Sequence, residues 1–102
     1  MASEVLDMQS FMRIEGLMLR RFFDRLESRG WRGDKAELRN DDLVREAKAY
    51  AAYCNVVFGT EWNHNHILSA CLRRGLVYTY GTADHFKISW PLVEGLVTVH
   101  AV

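Results

Sequence analysis

The chain has 102 residues, 49% apolar and 25% charged, which suits one globular domain around one core and is too apolar for disorder. Thirteen Lys and Arg offset thirteen Asp and Glu, so the markedly basic balance of a typical nucleic-acid-binding domain is excluded. No apolar run reaches the roughly 18 to 20 residues of a membrane span, and residues 1–5 lack the basic start of a secretory signal. Cys54 and Cys71 are too few for a disulfide scaffold, and a reduced cytoplasmic setting without a membrane partner is the expectation.

The spacing predicts a first helix over 4–29, capped by Ser3, with Glu4 and Asp7 near its positive end and Gly30 as its stop. Met8, Met12, Leu19, Phe22 and Leu26 form a heptad-like seam that Glu15 interrupts. Phe11, Ile14, Met18 and Phe23 widen the apolar surface beyond one stripe. Such a surface needs cover on more than one side, either from two helices of the same chain or from a second copy, as a homodimer. Arg21, Arg25 and Arg29 make a basic ridge on the same helix.

Residues 31–40 read as a polar loop with room for one helical turn. Asn40 or Asp41 then opens a second helix. Its apolar stripe of Leu43, Ala47, Tyr50, Ala51, Cys54, Val57 and Phe58 has a 3.6-residue period and ends at Gly59. Thr60 or Asn63 caps a third helix that runs to Arg74 and closes at Gly75.

Beyond Gly75 the period becomes two. Residues 76–80, a turn over 81–85 and residues 86–90 predict a hairpin, with Phe86, Ile88 and Trp90 on one face and Lys87 and Ser89 on the other. Pro91 ends the second strand, and the valine-rich stretch 96–102 suits an edge strand. The expected fold is therefore a single α+β domain over 1–102, mainly helical, with three helices followed by a β-hairpin and an extra C-terminal edge strand.

On the third helix, Ile67, Leu68, Cys71 and Leu72 cluster on one side together with His64. His66, Ser69, Ala70 and Arg73 fall on the other, with Asn63 near the N-terminal end. Small and hydrogen-bonding side chains suit a helix that lies against another surface. A major groove about 12 Å wide admits such a helix, and Asn, Ser and Arg can contact base edges. Arg74 lies at the flank, where a phosphate would sit.

This order of elements resembles a winged-helix domain over residues 41–90. The run from Ile67 to Val77 (ILSACLRRGLV) is similar to the end of that family's recognition helix passing into the wing, with residues 78–90 as the wing. The resemblance implies a DNA-binding regulator. In it Asn63, His66, Ser69 and Arg73 read bases, Arg74 and Lys87 hold phosphates, and Arg21, Arg25 and Arg29 add positive charge. Three features depart from the family pattern: Asn55 and Asn65 stand where a small and an aliphatic residue are usual, and the wing tip carries Asp84 and His85 without arginine.

Chemistry other than binding finds little in the pattern. His64 and His66 sit two residues apart, so on a helix they diverge and make a poor zinc pair with Cys54 or Cys71. No nucleophile elbow, P-loop or dinucleotide glycine pattern occurs, both cysteines fall on apolar stripes, and Arg32-Gly33-Asp34 stands in a chain without secretion features. No enzyme, metal or cofactor is expected. From Thr60 to Trp90, Arg73, Arg74 and Lys87 face Glu61 and Asp84, a margin of only one positive charge. A second expectation therefore stands beside the DNA-binding regulator: a protein-interaction adaptor or inhibitor, of the sort carried by phages and mobile elements, using the same scaffold and surface.

Overall fold

The computed structural model describes residues 2–33 and 38–96, and for residues 2–12, Tyr80, Thr82 and Ala83 only the backbone. Helix α1 spans Ala2–Ser28 and takes in Ser3, so Ser3 lies inside the helix and does not cap it. Gly30 stops it as expected. Its φ of +88° suits a residue without Cβ, and the Trp31 N–H turns back to the Leu26 carbonyl at 3.0 Å.

Helix α2, Asn40–Phe58, packs back on α1: Arg29, just past the end of α1, donates to Glu46, and the Tyr50 hydroxyl donates to the Met18 carbonyl. Leu19, Phe22 and Leu26 of the predicted seam are buried with Met18 and Phe23. Phe22 packs against Tyr50, ring centroids 5.3 Å apart, and Phe23 meets the edge of Trp90 at 6.1 Å. Elements of the same chain thus cover this half of α1 on two sides. The side chains of Glu4, Asp7, Met8, Phe11 and Met12 lie outside the described ones.

The α2 stripe is buried from Leu43 to Cys54 but not at its end. Val57 and Phe58 are 53% and 44% exposed, because the helix tip leaves the core, where the Phe58 ring packs edge-on to Tyr53. Gly59 closes α2 at φ +66°. Helix α3, His64–Arg73, follows and ends one residue earlier than predicted. It buries Ile67, Ala70 and Cys71, while Leu72 is exposed. The buried arc is therefore centred between Ile67 and Ala70, rotated from the predicted Ile67–Leu72 side.

Three short strands make an antiparallel sheet in the order β1-β3-β2: β1 is Leu38–Arg39, β2 is Val77–Tyr80 and β3 is Thr82–Ile88. Val77 pairs with Ile88 and Leu38 with Phe86. The hairpin turns at Gly81, φ +68°, with an irregularity between Thr79 and Tyr80. Residues 82–85 are thus strand where a five-residue turn was predicted. The third strand comes from the 31–40 loop, which sequence reading left without one, and residues 97–102 of the predicted edge strand lie outside the described residues. Trp90 and Pro91 are not strand. They open a short helix α4, Trp90–Glu94, since proline suits the first helical turn. Arg20 binds the Val93 and Glu94 carbonyls at the end of α4, both at 3.2 Å. Among the described residues no helix is long and apolar enough to cross a membrane.

Candidate functional site

Glu15, which breaks the apolar seam of α1, is 5% exposed. A carboxylate at such a position must be paired, because unpaired burial of a charge is very costly. Its partners come from the end of α3. Arg73 donates through Nη2 to both carboxylate oxygens, at 2.8 and 3.0 Å, and Arg74 Nη2 reaches Oε1 at 2.7 Å. Gly16 permits the approach, since a Cβ there would come within 3.3 Å of Arg74 Nη1. The two arginines differ in exposure, with the Arg73 side chain at 58% and that of Arg74 at 20%.

Beside this cluster is a cleft of about 250 Å³ lined by Glu15, Trp62, His66, Ser69 and Arg73. Asn55 of α2 positions its Trp62 wall. The Asn55 amide donates to the Trp62 carbonyl at 2.7 Å, and its Oδ1 accepts from the Trp62 N–H at 2.8 Å and the Thr60 hydroxyl at 2.7 Å. Asn63 then caps α3 in a reciprocal box: its side chain accepts from the His66 N–H at 3.1 Å, and its own N–H donates to His66 Nδ1 at 3.2 Å. With Nδ1 accepting, the neutral His66 ring carries its proton on Nε2.

Of the predicted contact residues, His66, Ser69 and Arg73 come together in the cleft and are exposed, and Arg74 joins them through Glu15. Asn63 is exposed, with its side chain engaged in the cap. Lys87 sits away from the cleft on β3, opposite Tyr78. The arginine ridge faces α2: Arg21 lies over the Phe58 ring at 5.7 Å and Arg29 bonds Glu46 at 2.7 Å. Arg25 Nε is buried without an acceptor. Two of the three ridge arginines are thus engaged with α2. Sequence reading missed Glu15 and Trp62 as site residues. The signal for Glu15 was its place as the one acid inside an apolar seam.

Glu46 is a second buried carboxylate, on α2. Burial raises its pKa, but hydrogen bonds from Arg29 at 2.7 Å and Trp31 at 2.8 Å, with the charges of Arg29 and Arg25, outweigh burial and hold it below the ordinary value. Both cysteines are buried, and their thiols are pushed up. Burial dominates in each, and for Cys71 the charge of Glu15 adds to it, bringing the thiol to about 12. Among the described residues no three His, Cys, Asp or Glu side chains group together as metal ligands would. No family model matches this chain, and no curated protein or solved structure matches it either.

Proposed function

We propose that this chain is a small non-enzymatic interaction module that docks on a protein partner through the outer face of α3 and the cleft beside it. The observation carrying this reading is the engagement of Arg73 and Arg74 by Glu15. With Glu15 included, the cations Arg73, Arg74 and Lys87 face Glu61, Asp84 and Glu15, and the margin of positive charge over this region falls to zero. Phosphate neutralisation supplies most non-specific DNA affinity. A surface without surplus charge suits a protein partner, whose interfaces rest on buried aromatic and apolar anchors. Trp62 in the cleft wall and the exposed Leu72 on α3 are such anchors. Raised thiol pKa values in both cysteines suit packing and not nucleophilic chemistry.

A second reading, the winged-helix DNA-binding regulator, is favoured by the outward-turned His66, Ser69 and Arg73 followed directly by a hairpin. Two measurements on the full chain separate them. The protein reading expects stoichiometric capture of one protein that survives nuclease and is lost in Leu72→Asp, with no retention of random or genomic duplex at low salt. Duplex binding at low salt, or capture abolished by nuclease, overturns it in favour of DNA.

A further inference from the structure

We infer that the cleft between α1 and α3 is a seat for a carboxylate, namely one acidic side chain of the protein partner; this rests on the docking reading above. Four of the five side chains that line the cleft can donate, on walls that are otherwise mostly apolar. Arg73 reaches Glu15 through Nη2 alone, leaving Nη1 and Nε of a guanidinium that is more than half exposed. His66 presents Nε2–H, because Nδ1 is taken by the Asn63 N–H. Ser69, with a hydroxyl, and Trp62, whose side chain has an indole N–H as its sole polar group, are the other two donor-bearing residues of the lining. Glu15 is the only acceptor side chain in the wall without a proton of its own to offer, and both its oxygens already accept from Arg73. A site that offers donors and has its one carboxylate engaged is complementary to an anion.

Size and shape select the source of that anion. Cofactor and small-ligand pockets run from about 300 to 1,000 Å³. At about 250 Å³ the cleft is smaller, the scale of a single side chain, and the Trp62 ring offers an apolar wall for its methylene stem. A flat guanidinium presents two donors in parallel to a carboxylate, the bidentate geometry that favours this partner. The cap fixes His66 and Asn55 fixes the Trp62 backbone, so the donor set is held before binding.

The test is an NMR titration of the full chain with N-acetyl-glutamate N-methylamide, run beside its neutral glutamine analogue and inorganic phosphate. The expected result is saturable shifts of the Trp62 indole, Ser69 amide and Arg73 Nε–H resonances at millimolar concentration, the range of a single-side-chain contact. The glutamine analogue should bind at least about tenfold more weakly. Arg73→Leu should remove the response. Ser69→Asp, an exposed substitution that leaves the Glu15 cluster in place, should remove it too while the spectrum stays dispersed. Non-saturating shifts, an equal response to the glutamine analogue, or tighter binding of phosphate than of the glutamate probe overturns the assignment. Saturable glutamate binding without nuclease-resistant capture would sink the docking reading and leave the seat. Capture that is indifferent to Ser69→Asp and Arg73→Leu would remove the seat alone.

Discussion

Replacing Glu15 by glutamine isolates the charge of this residue, since the side chain keeps its shape and one acceptor. The Arg74 contact, 2.7 Å long between groups that are 20% and 6% exposed, is a charge-assisted bond of the kind contributing about 1.5–3 kcal/mol. Arg73 is 58% exposed and can rehydrate, so its share is discounted to the exposed-pair range of about 0.2–1 kcal/mol. The glutamine oxygen retains part of the Arg74 bond. The expected loss is therefore about 1.5–3 kcal/mol, read as a lower urea midpoint at unchanged slope. A second consequence is electrostatic. Glu15→Gln shifts the local charge from zero to plus one, so random duplex should bind more tightly than to wild type, with log K steeper in log salt by about 0.9 for one added phosphate contact. A stability loss below about 0.5 kcal/mol would refute the view that Glu15 holds α3 to α1. Unchanged duplex binding in a folded variant would refute the view that it masks the α3 arginines.

Glu46 makes stability depend on acid. Its folded pKa is below the ordinary value of 4.5, so its contribution is complete above that value and is lost as pH falls through the lower folded pKa. Glu46→Gln should flatten this acid limb in urea titrations carried below the ordinary value of 4.5 and lower stability at neutral pH by about 1–3 kcal/mol. Asn55→Ala removes three hydrogen bonds that pin the α2–α3 turn and should cost about 2–3 kcal/mol. It should also alter Trp62 fluorescence and weaken the glutamate probe, which an effect confined to global stability would not do. Cys54 and Cys71 are buried with raised pKa values, and should react with an aromatic disulfide reagent only at the rate of unfolding. Rapid labelling of the native chain would contradict this packing.

Local rules made most of the helices legible. Gly30, Gly59 and Gly75 stop three of them with positive φ, and Asn63 caps α3 with the reciprocal bond to His66. What escaped were features that depend on partners distant in sequence. A two-residue strand at Leu38–Arg39 has too short a pattern to show a period of two. It exists because β3 offers an edge to pair with. Trp90 continues the alternation of Phe86 and Ile88, yet it packs on Phe23 as the start of a helix, because Pro91 fits a first turn and the Arg20 guanidinium binds the carbonyls at the other end. The rotated arc of α3 has a similar origin. Ala70 is small enough to face the core where α2 and α3 approach, and Leu72 is left at the surface.

Asn55, which departs from the winged-helix pattern, and Glu15, which interrupts the α1 seam, become parts of the site once their partners are known. Asn55, in place of the usual small residue, ties α2 to the Trp62 backbone, so the polar substitution substitutes hydrogen bonds for close packing at the turn. Glu15, which breaks the α1 seam, binds the exposed Arg73 at the end of α3 and the more buried Arg74 just after it. A buried carboxylate with two guanidinium partners adds little net stability over a well-packed apolar substitute. Its consequence is better seen in recognition: it fixes the position of Arg73 at the edge of the cleft and lowers the charge a phosphate backbone would meet. For a helix reading DNA, both effects work against affinity. For a surface that receives one carboxylate in a defined orientation, the fixed position of Arg73 is the advantage, and the lowered charge weakens long-range attraction for either anion.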